Sequence, residues 1–145
     1  MSLDGSYDPD NVFAKVVRGD LPAHKVFEDD EALAFMDLFP QARGHVLVVS
    51  KASRARNLLE VEPERLTALM LAVQRVARAV RAALRPDGIV VTQFNGAPAG
   101  QTVFHLHVHI IPRYEGEALG RHAGGTPADA EELKALAHAI AREIA

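Results

Sequence analysis

Phe104-His105-Leu106-His107-Val108-His109-Ile110 alternates apolar and imidazole side chains without a break. Successive side chains of a β-strand face opposite ways. A strand here puts His105, His107 and His109 on one face and Leu106, Val108 and Ile110 on the other. The apolar face anchors it on a core. The other displays three rings spaced by about 6.6 Å, twice the strand rise. The expected strand runs from Phe104 to Ile111 and is ended by Pro112.

The rest of the chain supplies a sheet for this strand. Just upstream, Asn95-Gly96-Ala97-Pro98-Ala99-Gly100 reads as a loop and Ile89 to Phe94 as a strand. Pro63 opens a long helix whose Leu66, Leu69, Val73, Val76 and Val80 form an apolar seam. Its Arg75, Arg78, Arg81 and Arg85 read as a solvated face. His45 to Ser50 is a strand after a Gly44 turn, apolar enough to be buried on both faces. Lys25–Glu28 and Ala32–Met36 read as a hairpin, preceded by a short helix from Val12 to Arg18 capped by Asn11. After the histidine strand, Gly116, Gly120, Gly124 and Gly125 mark a mobile connection. Thr126 is then expected to cap a last helix, with Pro127 at its first position and Leu133, Leu136, Ala137, Ile140 and Ile144 on its apolar face. The order predicts an α+β fold, an antiparallel sheet of about five strands with the long helix packed on it and a C-terminal helix.

Composition bounds the chemistry. The chain has 145 residues, seven His, no Cys and no Trp, with 48% hydrophobic and 24% charged residues. That suits one globular domain, read as residues 11–145 behind a polar, fraying segment at residues 1–10. Without Cys there are no disulfides, thiolate metal sites or cysteine nucleophile. Sixteen Lys and Arg against nineteen Asp and Glu give a net charge of −3 and no global field for nucleic acid. The start, MSLDGSYDPD, lacks the basic and apolar regions of a signal peptide, and no apolar run reaches membrane-spanning length. The expected location is cytoplasmic.

Three readings of the histidine face compete. Three solvated histidines would be an odd choice where Thr, Lys or Glu serve. A metal could use two of the rings, but the outer pair lies about 13 Å apart along the strand, so His45, Asp37 or a Glu would have to join. In the third, a neutral imidazole attacks phosphorus, which requires the far ring nitrogen to be held by an acceptor. Gly100-Gln101-Thr102, just ahead of the strand, offers backbone N–H groups, an amide and a hydroxyl to an anion.

Gly100-Gln101-Thr102-Val103-Phe104-His105-Leu106-His107-Val108-His109-Ile110-Ile111-Pro112-Arg113 resembles the signature of the histidine-triad (HIT) family of nucleotide hydrolases and transferases. The likeness extends through Asn11 to Gly19, Leu21-Pro22, Phe27 to Asp30, Ala34 to Asp37, Pro40 and Gly44 to Val48, covering about residues 11–114. Ser50 departs from the pattern, where a proline usually precedes the lysine at position 51. The resemblance implies that His107 attacks the α-phosphorus of a nucleotide and that water hydrolyses the nucleotidyl-histidine. His109, Thr102 and Gln101 would contact the phosphate or departing group, joined by Gly100 and an amide at Asn95. His105 would supply backbone that orients the nucleophile, and His45 would join the triad as a further partner. Asp37 would bind the ribose hydroxyls. Val12, Phe13, Val16, Phe35, Leu38 and Leu47 would wall a purine pocket.

Neither a metal nor another cofactor is expected, since zinc-bearing members use cysteines. The implied activity is hydrolysis of purine nucleoside phosphoramidates. The alternatives are dinucleoside polyphosphate hydrolysis of the fragile-histidine-triad type and nucleotide binding with vestigial hydrolysis. His109 argues against the uridylyltransferase branch, which has Gln there. A homodimer through the long helix and an adjoining strand is implied. His24, His122 and His138 read as surface residues.

Overall fold

The computed structural model describes residues 2–122 and 125–145. Asn11 accepts a hydrogen bond from the Ala14 amide (2.9 Å) and starts α1, Val12–Val17, which buries Phe13 and Val16. β1 (Lys25–Glu28) and β2 (Ala32–Met36) form the expected hairpin. The Asp29 carboxylate turns it by accepting from the amides of Glu31 and Ala32, both at 2.8 Å. β3 (Val46–Ser50) pairs antiparallel with β2 and is buried throughout. α2 spans Pro63–Leu84, with Leu69, Val73, Val76 and Val80 buried as the seam requires and Leu66 half-buried. β4 is Gly88–Thr92, stopping short of Gln93 and Phe94. β5 is His107–Arg113 and α3 is Ala130–Ala141.

The five strands form one antiparallel sheet in the order β1-β2-β3-β5-β4. Its two faces have separate cores. Ala34, Met36, Val48, Val108 and Ile110 pack against α2 and α3. Leu33, Phe35, Leu47 and Val49 meet Phe13 and Val16 of α1 on the other side. Directly paired residues share a face. The register Phe35↔Leu47↔His109 and Leu33↔Val49↔His107 therefore places both imidazoles on the face that carries α1.

Besides shifts of one or two residues at the ends of α1, β3 and β4, three departures from expectation have causes in the contacts. β5 starts at His107 rather than Phe104, because the Leu106 amide donates to Ala55 O (3.0 Å) and Gln101 Nε2 donates to Val103 O (3.1 Å). These bonds pull the preceding chain out of the ladder. Pro112 lies inside β5, paired with Ile89. Arg113 O accepts from the Asp87 amide on the β4 side, so the Pro112 nitrogen faces the β3 side. There the ladder has already ended at Val46↔Ile110, and no bond is lost. α3 is capped by Asp129, which accepts from the Glu132 amide at 3.1 Å, and not by Thr126. The Ala128 amide donates to Leu38 O (3.0 Å), which holds the chain just ahead of the cap on the sheet.

Gly44 turns into β3 at φ +89°, where a Cβ would collide with Leu84 and Pro112. Within the connection after β5, the Gly120 amide donates to Gln41 O (2.6 Å), and Gly124 lies outside the described residues. The start of the chain, expected to fray, carries defined contacts. Arg56 donates to Ser2 O (3.1 Å), Asn57 to Leu3 O (3.3 Å) and the Ala97 amide to Ser2 Oγ (2.9 Å). Among the described residues, no helix is long and apolar enough to cross a membrane.

Candidate active site

A cavity of about 560 Å³ opens over the α1 face of the sheet. Val12, Phe13 and Val16 of α1 form one wall, Phe35 and Leu47 the floor, and Leu38 part of the rim. His107, His109, Asp37 and Thr102 are among its polar groups. Ten of the expected site residues thus meet around one space. Leu21 and Phe39 add apolar rim that sequence reasoning passed over.

The other expected residues lie outside this lining. Gln101 is buried, its Oε1 accepting from the Gly96 amide (2.8 Å) and its Nε2 donating to Arg56 O (2.7 Å) and Val103 O. The side chain that resembles a phosphate ligand is thereby engaged in shaping the loop. Asn95 Oδ1 accepts from the Leu58 amide (2.9 Å) and Gln93 Nε2 (2.8 Å), which turns it away from the cavity. Gly100 contributes its carbonyl, which accepts from His122 Nε2 (2.7 Å). His45 sits behind His109, and His105 lies before β5 with its carbonyl beneath His107.

The hydrogen bonds fix where the ring protons are. His107 Nδ1 lies 2.6 Å from His105 O, an acceptor only, so Nδ1 carries the proton and Nε2 the free lone pair. The Gln41 amide donates to His45 Nδ1 (3.0 Å), so neutral His45 is protonated on Nε2 and donates to His109 Nδ1 at 2.9 Å. His109 therefore carries its own proton on Nε2. That buried nitrogen has no hydrogen-bond partner among the described residues. Two imidazoles side by side on the sheet, ring centroids 5.1 Å apart, are held in opposite roles: His107 offers a lone pair and His109 an N–H.

Burial enforces this. It pushes His107 and His45 down to about 4 and His109 to about 3, since a charged ring there would lose its hydration. The His105 carbonyl opposes the shift of His107 but does not offset it. Phe13 presses edge-on against His107, centroids 4.8 Å apart. Burial raises the pKa of Asp37, opposed by the Phe39 amide that donates to its Oδ1 (2.8 Å) and by the charge of His122.

Asp37, His45 and His109 place three potential metal-ligand atoms within 4.8 Å of one another. The proton on His45 Nε2 points into that cluster, so a cation could use the ring only by displacing it. His122, read from sequence as a surface residue, lines the cavity instead. Its ring lies 4.7 Å from Phe94 and 5.6 Å from His109. It sits in a Gly-rich connection without periodicity, and no local signal marks it.

The chain belongs to the HIT domain family, whose model matches residues 18–116. Among its relatives, Protein hit of Bacillus subtilis is 39% identical over 138 residues, 92% of this chain and 94% of that protein. Adenylylsulfatase HINT3 of Arabidopsis thaliana is 36% identical over 130 residues, 86% of this chain and 66% of that protein. The crystal structure of a HIT-like protein from Bartonella henselae superposes with a TM-score of 0.89 at 45% identity, covering 96% of this chain and 99% of that one.

Proposed function

We propose that this chain is a purine nucleoside phosphoramidate hydrolase acting at the α-phosphate through a covalent nucleotidyl-histidine on His107. Family membership and the adenylylsulfatase name of one relative support a nucleotide hydrolase or transferase in general. The observation that carries the finer reading is the opposite hydrogen-bonding of His107 and His109 beside a largely apolar cavity of about 560 Å³, with room for a base and its sugar.

In the first step the His107 Nε2 lone pair forms an N–P bond. The bond from phosphorus to the leaving nitrogen breaks with its electron pair going to that nitrogen, which takes a proton from water. The imidazolium so formed keeps Nδ1–H on the His105 carbonyl, which stabilises its charge. In the second step the water-derived oxygen attacks phosphorus and the N–P pair returns to Nε2. The His109 N–H and Thr102 hold phosphate oxygens, Asp37 accepts from the ribose hydroxyls, and the apolar wall takes the base. No metal or cofactor takes part.

An adjoining cavity of about 390 Å³ shares Val12, Thr102 and Val103 with the first. It gives room for a larger leaving group and favours dinucleoside polyphosphates as the second reading. The domain is taken as residues 11–145. A homodimer is supported by the exposed β4 edge, where Val90 and Val91 are uncovered. A cytoplasmic location is kept as part of this reading.

The test is kcat/KM on adenosine phosphoramidate, lysyl-adenylate and dinucleoside polyphosphates, with His107→Ala as control. His107→Ala abolishes turnover and the trapped nucleotidyl adduct while adenosine monophosphate still binds. Full turnover in that variant refutes the mechanism. Tight binding without turnover of any substrate by the unaltered protein favours a vestigial, regulatory role.

A further inference from the structure

We propose that Tyr7, in the segment ahead of α1, is a positioning residue for the nucleophile, acting through His105. This rests on the reading of His107 above. The His105 carbonyl must stay in place, because among the described residues it is the acceptor that keeps the His107 proton on Nδ1. Yet residue 105 lies outside the sheet: the β3–β5 ladder stops at Val49↔His107. Its own side chain shares the holding with the Leu106 amide, which donates to Ala55 O (3.0 Å) from the same peptide unit. His105 Nε2 lies 2.6 Å from Ser50 O, an acceptor only, so Nε2 is the donor and Nδ1 of the neutral ring can only accept. The Tyr7 hydroxyl, 2.8 Å from Nδ1, is the donor it accepts from.

Three hydrogen bonds thus run in series: Tyr7 O–H to His105, His105 N–H to Ser50, and His107 N–H to the His105 carbonyl. His105 is only 2% exposed, so no water readily replaces a lost partner. Burial lowers its pKa, opposed by Ser50 O, and so favours the neutral ring. Tyr7 is itself held from two sides. Arg54 lies over its ring at 5.3 Å, and Arg56 and Asn57 hold the Ser2 and Leu3 carbonyls at the start of the same segment. Without the hydroxyl, Nδ1 is left a buried acceptor without its donor, while Ser50 O still keeps the proton on Nε2. The ring can then tilt in its slot, which loosens the carbonyl beneath His107 although the Leu106 amide still ties that peptide unit to Ala55 O.

The experiment compares Tyr7→Phe, which keeps the ring and its contact with Arg54, with the unaltered protein. Expected are a fall in kcat on adenosine phosphoramidate of about tenfold to a hundredfold from lost alignment and a KM within about twofold. Imidazole nitrogen NMR of the ligand-free protein should show His105 protonated on Nε2 and His107 on Nδ1; in the variant His105 should stay protonated on Nε2 while the His107 tautomers become mixed. Unchanged kcat with unchanged tautomers overturns the proposal. So does a rise in KM with both tautomers intact, which would make Tyr7 a cavity-shaping residue. The NMR readout needs no substrate, so it stands apart from failure of the nucleophile reading, which would appear as turnover by His107→Ala.

Discussion

The two nitrogens of His45 can be tested separately. Its Nδ1 accepts from the Gln41 amide and its Nε2 donates to His109. Asparagine places a carboxamide near the first position and glutamine near the second. His45→Asn keeps an acceptor for Gln41 but leaves His109 Nδ1 without a donor, so the His109 proton is no longer confined to the nitrogen facing the cavity. If that N–H binds a phosphate oxygen in the transition state, its loss resembles removal of one oxyanion-hole donor: about 10²–10³ in kcat, or about 2.7–4 kcal/mol. His45→Gln restores the donor and should retain most of the activity. Each variant strands one buried partner, so both should lose about 1–3 kcal/mol of stability. Steady-state turnover of adenosine phosphoramidate and denaturant unfolding measure the two effects. A double-mutant cycle with His109→Ala adds a check, since His45→Asn should cost little more once His109 is gone. Equal activities for the asparagine and glutamine variants, or full additivity in the cycle, would refute the relay.

Further consequences concern pH, the phosphate loop and metal. His45, His107 and His109 have folded pKa values of about 4, 4 and 3, below the ordinary 6.5, so the unfolded chain binds more protons as pH falls. Their contribution is present above pH 6.5 and is lost toward pH 4, at up to about 1.4 kcal/mol per pH unit for each ring; urea midpoints across that window should show it. Gln101→Ala strands the Gly96 amide and the Arg56 and Val103 carbonyls. It should cost about 3 kcal/mol or more in stability as well as activity, whereas a direct phosphate ligand would lower activity alone. Exhaustive chelation should leave kcat unchanged and elemental analysis should find no stoichiometric zinc; metal-dependent turnover would revive the Asp37, His45 and His109 cluster as a metal site.

Much of the sheet was legible because its signals are local. The unbroken apolar run at Val46–Val49 and the α2 seam arise from burial that each element shows by itself. The turn at Asp29 and the cap at Asn11 need only neighbouring residues. What could not be read depends on partners far along the chain. The strict alternation from Phe104 implied a strand through His105, but Ala55, fifty residues earlier, takes the Leu106 amide. Thr126 and Asp129 are both competent caps, and the bond from Ala128 to Leu38 favours the second. Gln101 and Asn95 have the right chemistry for phosphate, yet backbone groups of neighbouring loops claim it first. His122 enters the site only through the course of the chain after β5.

The sheet order has a consequence for how the protein is made. β4 is synthesised before β5 but has no other strand to pair with, and one side of β3 waits for the same partner. Both are joined only when residues 107–113 insert between them. The strand that carries His107 and His109 is therefore the keystone that closes the sheet, so a nascent chain cannot display a working nucleophile before its architecture is complete. Activity can appear only once that strand has joined the sheet, and the edges of β3 and β4 that face each other are covered in the same event, while β4 keeps its outer edge open.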